Sequence, residues 1–285
     1  MKALEPEYQI NDLCAAFGVS RSGYHRWRKA GPSVRQQTDA QLSIQLRTLH
    51  RQSRGNYGRP RLWAALRQNG RRHSPKRIGR LMRTLGLRGV QRGRFTPQTT
   101  DSRHAQLKAP NRLLQQPPTT ASNQVWVADL TFVPTQEGWL YVAGVLDRHS
   151  RRLLGLACAG RMDAELPAAA LRQALVRRRG SLRHQGKLLH HSDQGAQYAS
   201  ATYQNLLRHH GLTPSMSRPA NCYDNAHMES FWATLKTEAL AARTFSTRAQ
   251  AQLAIFEYVE TFYNRVRLHS ALGYQSPVDF ENQSD

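Results

Sequence analysis

Between Asp39 and Asp101 the chain has no aspartate or glutamate at all, while 15 lysines or arginines fall in the same stretch. So one-sided a segment is not suited to an acid-lined surface and points to a polyanion as partner, because each phosphate neutralised releases condensed counterions. The whole chain of 285 residues carries 41 Lys+Arg against 19 Asp+Glu, a net charge of +22. Residues 1–110 hold 23 basic and 5 acidic residues, or +18; the remainder, with 18 and 14, holds only +4. Cysteine is scarce too. Cys14, Cys158 and Cys222 are odd in number and far apart, with no Cys-x-x-Cys pair. That argues against a disulfide frame or a zinc ribbon, and for a reducing cytoplasm. No apolar run of 18 residues exists, and "MKALEPEYQI" lacks a signal-peptide core, so neither a membrane span nor export is expected. Nor is there a basic amphipathic helix with a broad aromatic face to favour a lipid surface.

What is present begins with short helices. Residues 8–29 predict helix, tight turn, helix: Ile10, Leu13 and Phe17 share a face, Gly18 turns the chain, and Ser20 caps the second helix. Arg21, His25 and Arg26 on that second helix suit a DNA major groove, and a plain helical hairpin fits the spacing as well. Residues 38–50 predict a helix with Leu42, Leu46 and Leu49 inward. Pro60 opens the next, and Ser74-Pro75 opens a third that ends at Gly86. In that third helix Ile78, Leu81, Met82 and Leu85 form an i, i+3, i+4, i+7 stripe. Lys76, Arg77, Arg80 and Arg83 are left on the outer faces, as phosphate contacts or as a solvated basic face. The expected organisation is a helix-turn-helix-like segment at 1–32, a basic helical DNA-binding region at 38–88, and a linker at 89–122 that lets the two parts move. A further part with a C-terminal helical tail follows at 123–285.

At Asn123 the composition changes. "QVWVADLTFVP", "WLYVAGVLD" and "RRLLGLACAG" predict three strands of an antiparallel meander. A helix over 164–179, a strand ending at "HHSD", a helix near 200–210, a short strand at 213–215 and two more helices complete an α/β layer fold with a mixed sheet.

Three acids stand out against that frame. Asp129 shares a strand face with Val125 and Val127, where an ionised carboxylate is costly unless a cation compensates. Asp193 ends a strand in "KLLHHSDQGAQYAS". Glu229 lies in "NCYDNAHMESFWATLKTE", where Asn225 is placed to cap a helix whose core stripe is Met228, Phe231 and Leu235. Lys236, seven residues after Glu229, projects within about 20° of it at 3.6 residues per turn. Three carboxylates on a strand, a strand end and a helix suit hard divalent cations such as Mg²⁺ or Mn²⁺. Two such ions about 3.5–4 Å apart activate the attacking oxygen of an in-line phosphodiester displacement and stabilise the leaving one.

"VWVADLTFVP", "HHSDQGAQYAS" and "DNAHMESFWATLKTE", with 35 residues between Asp193 and Glu229, resemble the DDE transposases of the retroviral-integrase superfamily. "GVSRSGYHRW", "NYGRPRLWAALRQNG" and the tail "YNRVRLHSALGYQSPVDF" are similar to the OrfB product of the insertion-sequence-three family. The resemblance runs from about Leu13 to Phe280. It implies an RNase H-like core with a mixed five-stranded sheet and flanking helices, preceded by the small all-α helix-turn-helix-like region. Asp129, Asp193 and Glu229 would be catalytic metal ligands, and Lys236 a DNA contact near the reacting phosphate. The implied reaction is nicking at an element end to leave a 3′-OH, which then attacks another phosphodiester directly. The implied partners are double-stranded DNA, further copies of the chain in the DNA complex, and an upstream OrfA product, often as a fusion. Pro219-Ala220 replaces the basic residue and glycine expected before the catalytic helix. His191 stays open between a DNA or metal-supporting role and packing. So do Asn264, Arg265, Arg267 and His269, where Tyr263, Leu268 and Leu272 suit packing equally well. A DNA-binding regulator without catalysis, and a nuclease that cuts without joining, are the competing functions.

Overall fold

The computed structural model describes residues 1–91, 108–180, 188–218, 225–241 and 243–284. At its centre is β1 (Val125–Thr135), flanked antiparallel by β2 (Gly138–Asp147) and parallel by β4 (Leu189–Ser192). With β3 (Leu153–Ala159) beyond β2 and β5 (Thr213–Met216) beyond β4, the order is β3-β2-β1-β4-β5. The meander, the mixed sheet and the number of strands are as the sequence predicts.

Alternation along β1 divides the core into two layers, since successive side chains point to opposite faces. Trp126 and Ala128 face α6 (Glu165–Arg177), α7 (Ala196–Ala199) and α8 (Ala201–His209), among Leu171, Tyr198 and Tyr203. Val125, Val127 and Val133 face α9 (Ala226–Leu235) and α10 (Arg248–Glu257). Both of the latter continue into widened π turns, Lys236–Leu240 and Tyr258–Tyr263. The chain closes with α11 (Pro277–Ser284).

The N-terminal helices form largely where their caps and stripes predict. α1 (Ile10–Ala16) and α2 (Arg21–Lys29) are joined through Gly18 at φ 64°, and the Ser20 hydroxyl accepts from Gly23 N. α3 (Val34–Gln52) starts earlier than the leucine stripe suggests, because Ser33 and Gln36 close a capping box there. α4 (Arg59–Gln68) and α5 (Pro75–Thr84) each begin with a proline in the first turn.

The two parts flanking the expected linker also meet directly. Leu46, Leu62, Ile78 and Leu81 belong to the same apolar cluster as Phe231, Tyr258 and Phe262 of the α9–α10 layer. Polar bonds reinforce the seam: the Tyr57 hydroxyl donates to Val266 O and accepts from Leu268 N, and Arg61 Nε donates to Leu268 O. Burial of shared apolar surface, rather than linker length, joins the halves. Residues 92–107 of the expected linker lie outside the described residues. Its later part is anchored, with Arg112 N donating to Ser215 Oγ across 2.9 Å and Thr119 O meeting His149 Nδ1 at 3.0 Å.

Candidate active site

Asp129 is placed by the β1 register, directly across from Gly144 of β2. On that face α9 lies close to the sheet through Met228, Phe231, Trp232 and Leu235, all buried. The approach depends on Gly144 having no side chain: a Cβ there would sit 2.9 Å from Met228 Cε and 3.0 Å from Trp232 Cη2. At the start of α9, Asn225 does not act as the expected side-chain cap; its Nδ2 donates to Ala128 O across 3.0 Å. The helix carrying Glu229 is thereby tied to the strand residue next to Asp129.

Asp193 arrives on β4. That strand runs parallel to β1 with Val125 opposite Leu189 and Val127 opposite His191, an offset of 64 residues. The same offset brings Asp193, one residue past the strand end, level with Asp129. Two buried histidines brace the strand. His191 sits between the hydroxyls of Ser215 and Ser217 at 2.9 and 3.0 Å. His190 Nε2 meets the Tyr203 hydroxyl at 3.0 Å, and burial followed by the charge of His191 lowers its pKa to about 3. The packing alternative for His191 is thus the one the structure displays. Gly195 N donates to Asp193 Oδ1 at 3.0 Å, setting the carboxylate in an Asx turn, and a Cβ on Gly195 would lie 3.0 Å from that oxygen.

The three acids share an electrostatic neighbourhood. Each is half-buried. Burial raises the Asp129 pKa well above the ordinary carboxylate value, and the negative charges of Asp193 and Glu229 raise it further. The Leu130 N–H and the nearby Trp232 indole oppose that shift, although the indole nitrogen makes no hydrogen bond of normal geometry. Burial raises Glu229 as well. Lys236, just past the last residue of α9, is lowered by burial and partly restored by the charge of Asp129; its Nζ stands 5.3 Å over the Phe132 ring. Among the described residues no three His, Cys, Asp or Glu side chains are gathered tightly enough to enclose an ion as they stand. Like charges repel at this range, and a bound cation would reverse the sign of that force. Hard oxygen donors around a carboxylate whose pKa is raised by burial and by its acidic neighbours fit a divalent ion. The loop at 219–224, including Pro219-Ala220, lies outside the described residues.

The expected DNA contacts separate into two groups. Arg21, Arg26, Lys76, Arg83 and Arg265 are exposed. Arg77 and Arg80 are partly exposed but ion-paired: Asp39 takes Arg77 Nε at 2.7 Å and Arg80 Nη2 at 2.5 Å. Arg267, by contrast, is corrected. It is 4% exposed and forks onto Glu238 at 2.6 and 2.8 Å, so that despite burial its pKa is raised. His269 is likewise buried beneath Tyr263, not presented at the surface. Asn264 is buried against β3, bonded to both backbone groups of Leu153.

Three supporting residues were not evident from the sequence: Gly144, the strand tie made by Asn225, and Trp232. The hairpin register would have paired Gly144 with Asp129 by counting back from the turn at Gln136-Glu137; no local signal marked the other two.

A mixed sheet in this order, bearing acids on its central strand, just past the adjoining parallel strand and on a packed helix, goes with what sequence comparison finds. Residues 119–222 and 210–277 match integrase core domain families, and residues 36–95 match an HTH-like domain. The molecule is an integrase-type polynucleotidyl transferase with an HTH-like N-terminal region. The chain is 46% identical to the insertion element IS600 uncharacterized 31 kDa protein of Shigella sonnei, over 95% of this chain and 98% of that one. It is 40% identical to the transposase for insertion sequence element IS904 of Lactococcus lactis, over 88% and 97%. It is 36% identical to transposase InsF for insertion sequence IS3A of Escherichia coli (strain K12), over 98% and 96%. The chain belongs to the IS3 family of insertion-sequence transposases. Among solved structures, the HTLV-2 integrase catalytic core domain in complex with magnesium is similar at 14% identity and TM-score 0.44, over 57% of this chain and 98% of that one.

Proposed function

We propose that Asp129, Asp193 and Glu229 are the catalytic carboxylates of this transposase and that together they hold divalent cations, Mg²⁺ or Mn²⁺, as a pair. The observation that carries this reading is geometric: the β1–β4 register sets Asp193 level with Asp129, and Asn225 ties the Glu229 helix to Ala128 beside it. After burial, the charges of Asp193 and Glu229 also raise the Asp129 pKa. Three acids from three separate elements are costly to keep in one another's field, and cation binding relieves that cost. When bound, such ions lower the pKa of the attacking water or hydroxyl and offset charge on the leaving oxygen. The protein's own share is orientation: Gly195 fixes the Asp193 carboxylate, Asn225 and Gly144 seat the helix bearing Glu229, and Lys236 offers an ammonium to a DNA phosphate beside Asp129. The reaction read from this arrangement is hydrolytic nicking at an insertion-sequence end, leaving a 3′-OH, followed by direct attack of that hydroxyl on a second phosphodiester.

Duplex DNA would be gripped by the exposed cations Arg21, Arg26, Lys76, Arg83 and Arg265. In the DNA complex the chain would act as a homo-oligomer, with an upstream OrfA product as partner. No described helix is long and apolar enough to cross a membrane, and the unpaired cysteine pattern supports work in the cytoplasm. The reading is tested by incubating the full chain with Mg²⁺ and labelled duplexes carrying element ends. Nicked and joined products are expected; nicks without joints would make it a nuclease, and neither would leave a DNA-binding regulator.

A further inference from the structure

Behind α9, on the side turned from the carboxylates, a cavity of about 320 Å³ opens where α4, the β2–β3 turn and the segment after Tyr263 converge. Thr234 on its wall lies about 140° round the helix from Glu229, five residues at about 100° each. Arg61, Arg151, Arg267 and His269 line it, and among the described residues no acidic one does. Behind the wall Glu238 takes both forks of Arg267 and stands 3.8 Å from Arg61, and the charge of Asp147 acts on Arg151.

Two buried nitrogens are left over. Arg151 Nη1 has no hydrogen-bond partner, and His269, nine-tenths buried, has none for Nε2. A buried polar group without a partner is rare in a folded protein and calls for a ligand, water or ion. The backbone repeats the message. Arg151 occupies the left-handed region at φ 61°, unusual for a long side chain. The turn is forced into that shape by Asp147, fully buried, whose carboxylate accepts from Asn123, His149 and Ser150 N–H groups. Arg151 is clamped further by its own N–H to Asp147 O and by Tyr263 Oη donating to its carbonyl. Burial and the charges of Arg267, Arg61 and Arg151 keep His269 neutral, and its one ring N–H is held by the Tyr263 backbone, which leaves Nε2 as an uncharged nitrogen on the cavity wall.

We propose that this cavity is a phosphate-binding site, in which Arg151 Nη1 donates to an oxygen of one phosphate group under the added positive charge of Arg61 and Arg267. That phosphate belongs either to the backbone of a DNA strand or to a free phosphoryl compound. The site is independent of the acid cluster and needs no divalent ion.

The test compares the full wild-type chain with Arg151→Asn and Arg151→Lys, without divalent ion so that failure leaves the acid cluster untested and untouched. Asparagine tolerates the left-handed backbone, so it removes the guanidinium without adding strain. Duplex affinity is read by anisotropy across a salt series, and melting is read with and without pyrophosphate. If the phosphate is part of DNA, Arg151→Asn weakens duplex binding about tenfold and lowers the salt slope by about one, with Arg151→Lys in between. If it is a free phosphoryl group, pyrophosphate raises the melting temperature of wild type but not of Arg151→Asn, and the duplex slope is unchanged. Should Arg151→Asn fail to fold, Arg151→Lys alone decides, since it keeps charge but loses the guanidinium fork. Wild-type slope and wild-type pyrophosphate response in the folded variants would overturn the site.

Discussion

Gly144 stands across the β1–β2 ladder from Asp129, and its missing side chain lets Met228 and Trp232 of α9 settle against the sheet. The position of Glu229 over the sheet depends on that close approach. Gly144→Ala is therefore expected to cost about 1–3 kcal/mol by overpacking and to reduce strand cleavage more than DNA affinity. Urea denaturation alongside a cleavage assay checks this. Unchanged stability would mean that the helix does not bear on the glycine.

Asp129→Asn should separate activity from stability. The folded pKa of Asp129 lies above its unfolded value, so protonation favours the fold, and the ionised form costs stability as pH rises through that raised pKa. At neutral pH, without metal, the amide variant is expected to melt higher than wild type; a gain of about 1 kcal/mol would move Tm by about 2–4 °C. Added Mg²⁺ should raise the wild-type Tm by mass action and leave the variant almost unmoved. Calorimetry with and without the ion distinguishes this from the opposite order.

The basic face of α5 divides by geometry. Lys76 and Arg83 are exposed, while Arg77 and Arg80 are held by Asp39. Replacing Lys76 and Arg83 together by glutamine should reduce the salt slope of duplex binding by about two, one for each phosphate no longer neutralised. Replacing Arg77 and Arg80 together should change it by less than one. Equal effects would mean that Asp39 releases its arginines to DNA.

Acid should loosen the C-terminal helix. Glu281, 6% exposed, accepts from Arg178 and Arg152. Burial would raise its pKa, but Arg178, then Ser150 and Arg152, outweigh burial and bring it below the ordinary value. Its stabilisation is therefore complete above the unfolded pKa and lost as pH falls through the lowered folded one. Glu281→Gln, which leaves Arg178 buried without a counter-charge, is expected to cost about 3–5 kcal/mol near neutrality. The difference from wild type should shrink as pH falls below the ordinary glutamate range. A gap that persists into strong acid would assign the loss to packing.

Much of this could be seen in the amino-acid order because local signals and tertiary packing agree. Ser20 and Ser74 cap the helices that follow them, and the odd-even alternation from Val125 to Val133 maps onto two real apolar layers, whereas the Ser33 capping box that starts α3 went unread. The three acids stood out because each breaks an otherwise readable pattern. Long-range pairing is what stayed hidden. Nothing near Arg77 announces Asp39, 38 residues earlier, and nothing near Arg267 announces Glu238. A basic residue looks the same in sequence whether it faces solvent or a buried carboxylate. The docking of α4 on the 263–274 segment was obscured in the same way, since Tyr57 and Arg61 read as parts of a local helical pair.

The central claim is that side-chain oxygens from three elements jointly support phosphodiester chemistry. Asp193→Asn tests it most directly, because the amide keeps the shape and the Asx-turn acceptor but is a poor ligand for Mg²⁺. With labelled element-end duplexes and Mg²⁺, the variant is predicted to bind DNA with near-normal affinity and salt dependence, yet to yield no nicked or joined product. Cleavage and joining at the wild-type level would contradict the assignment of Asp193, and with it the shared site.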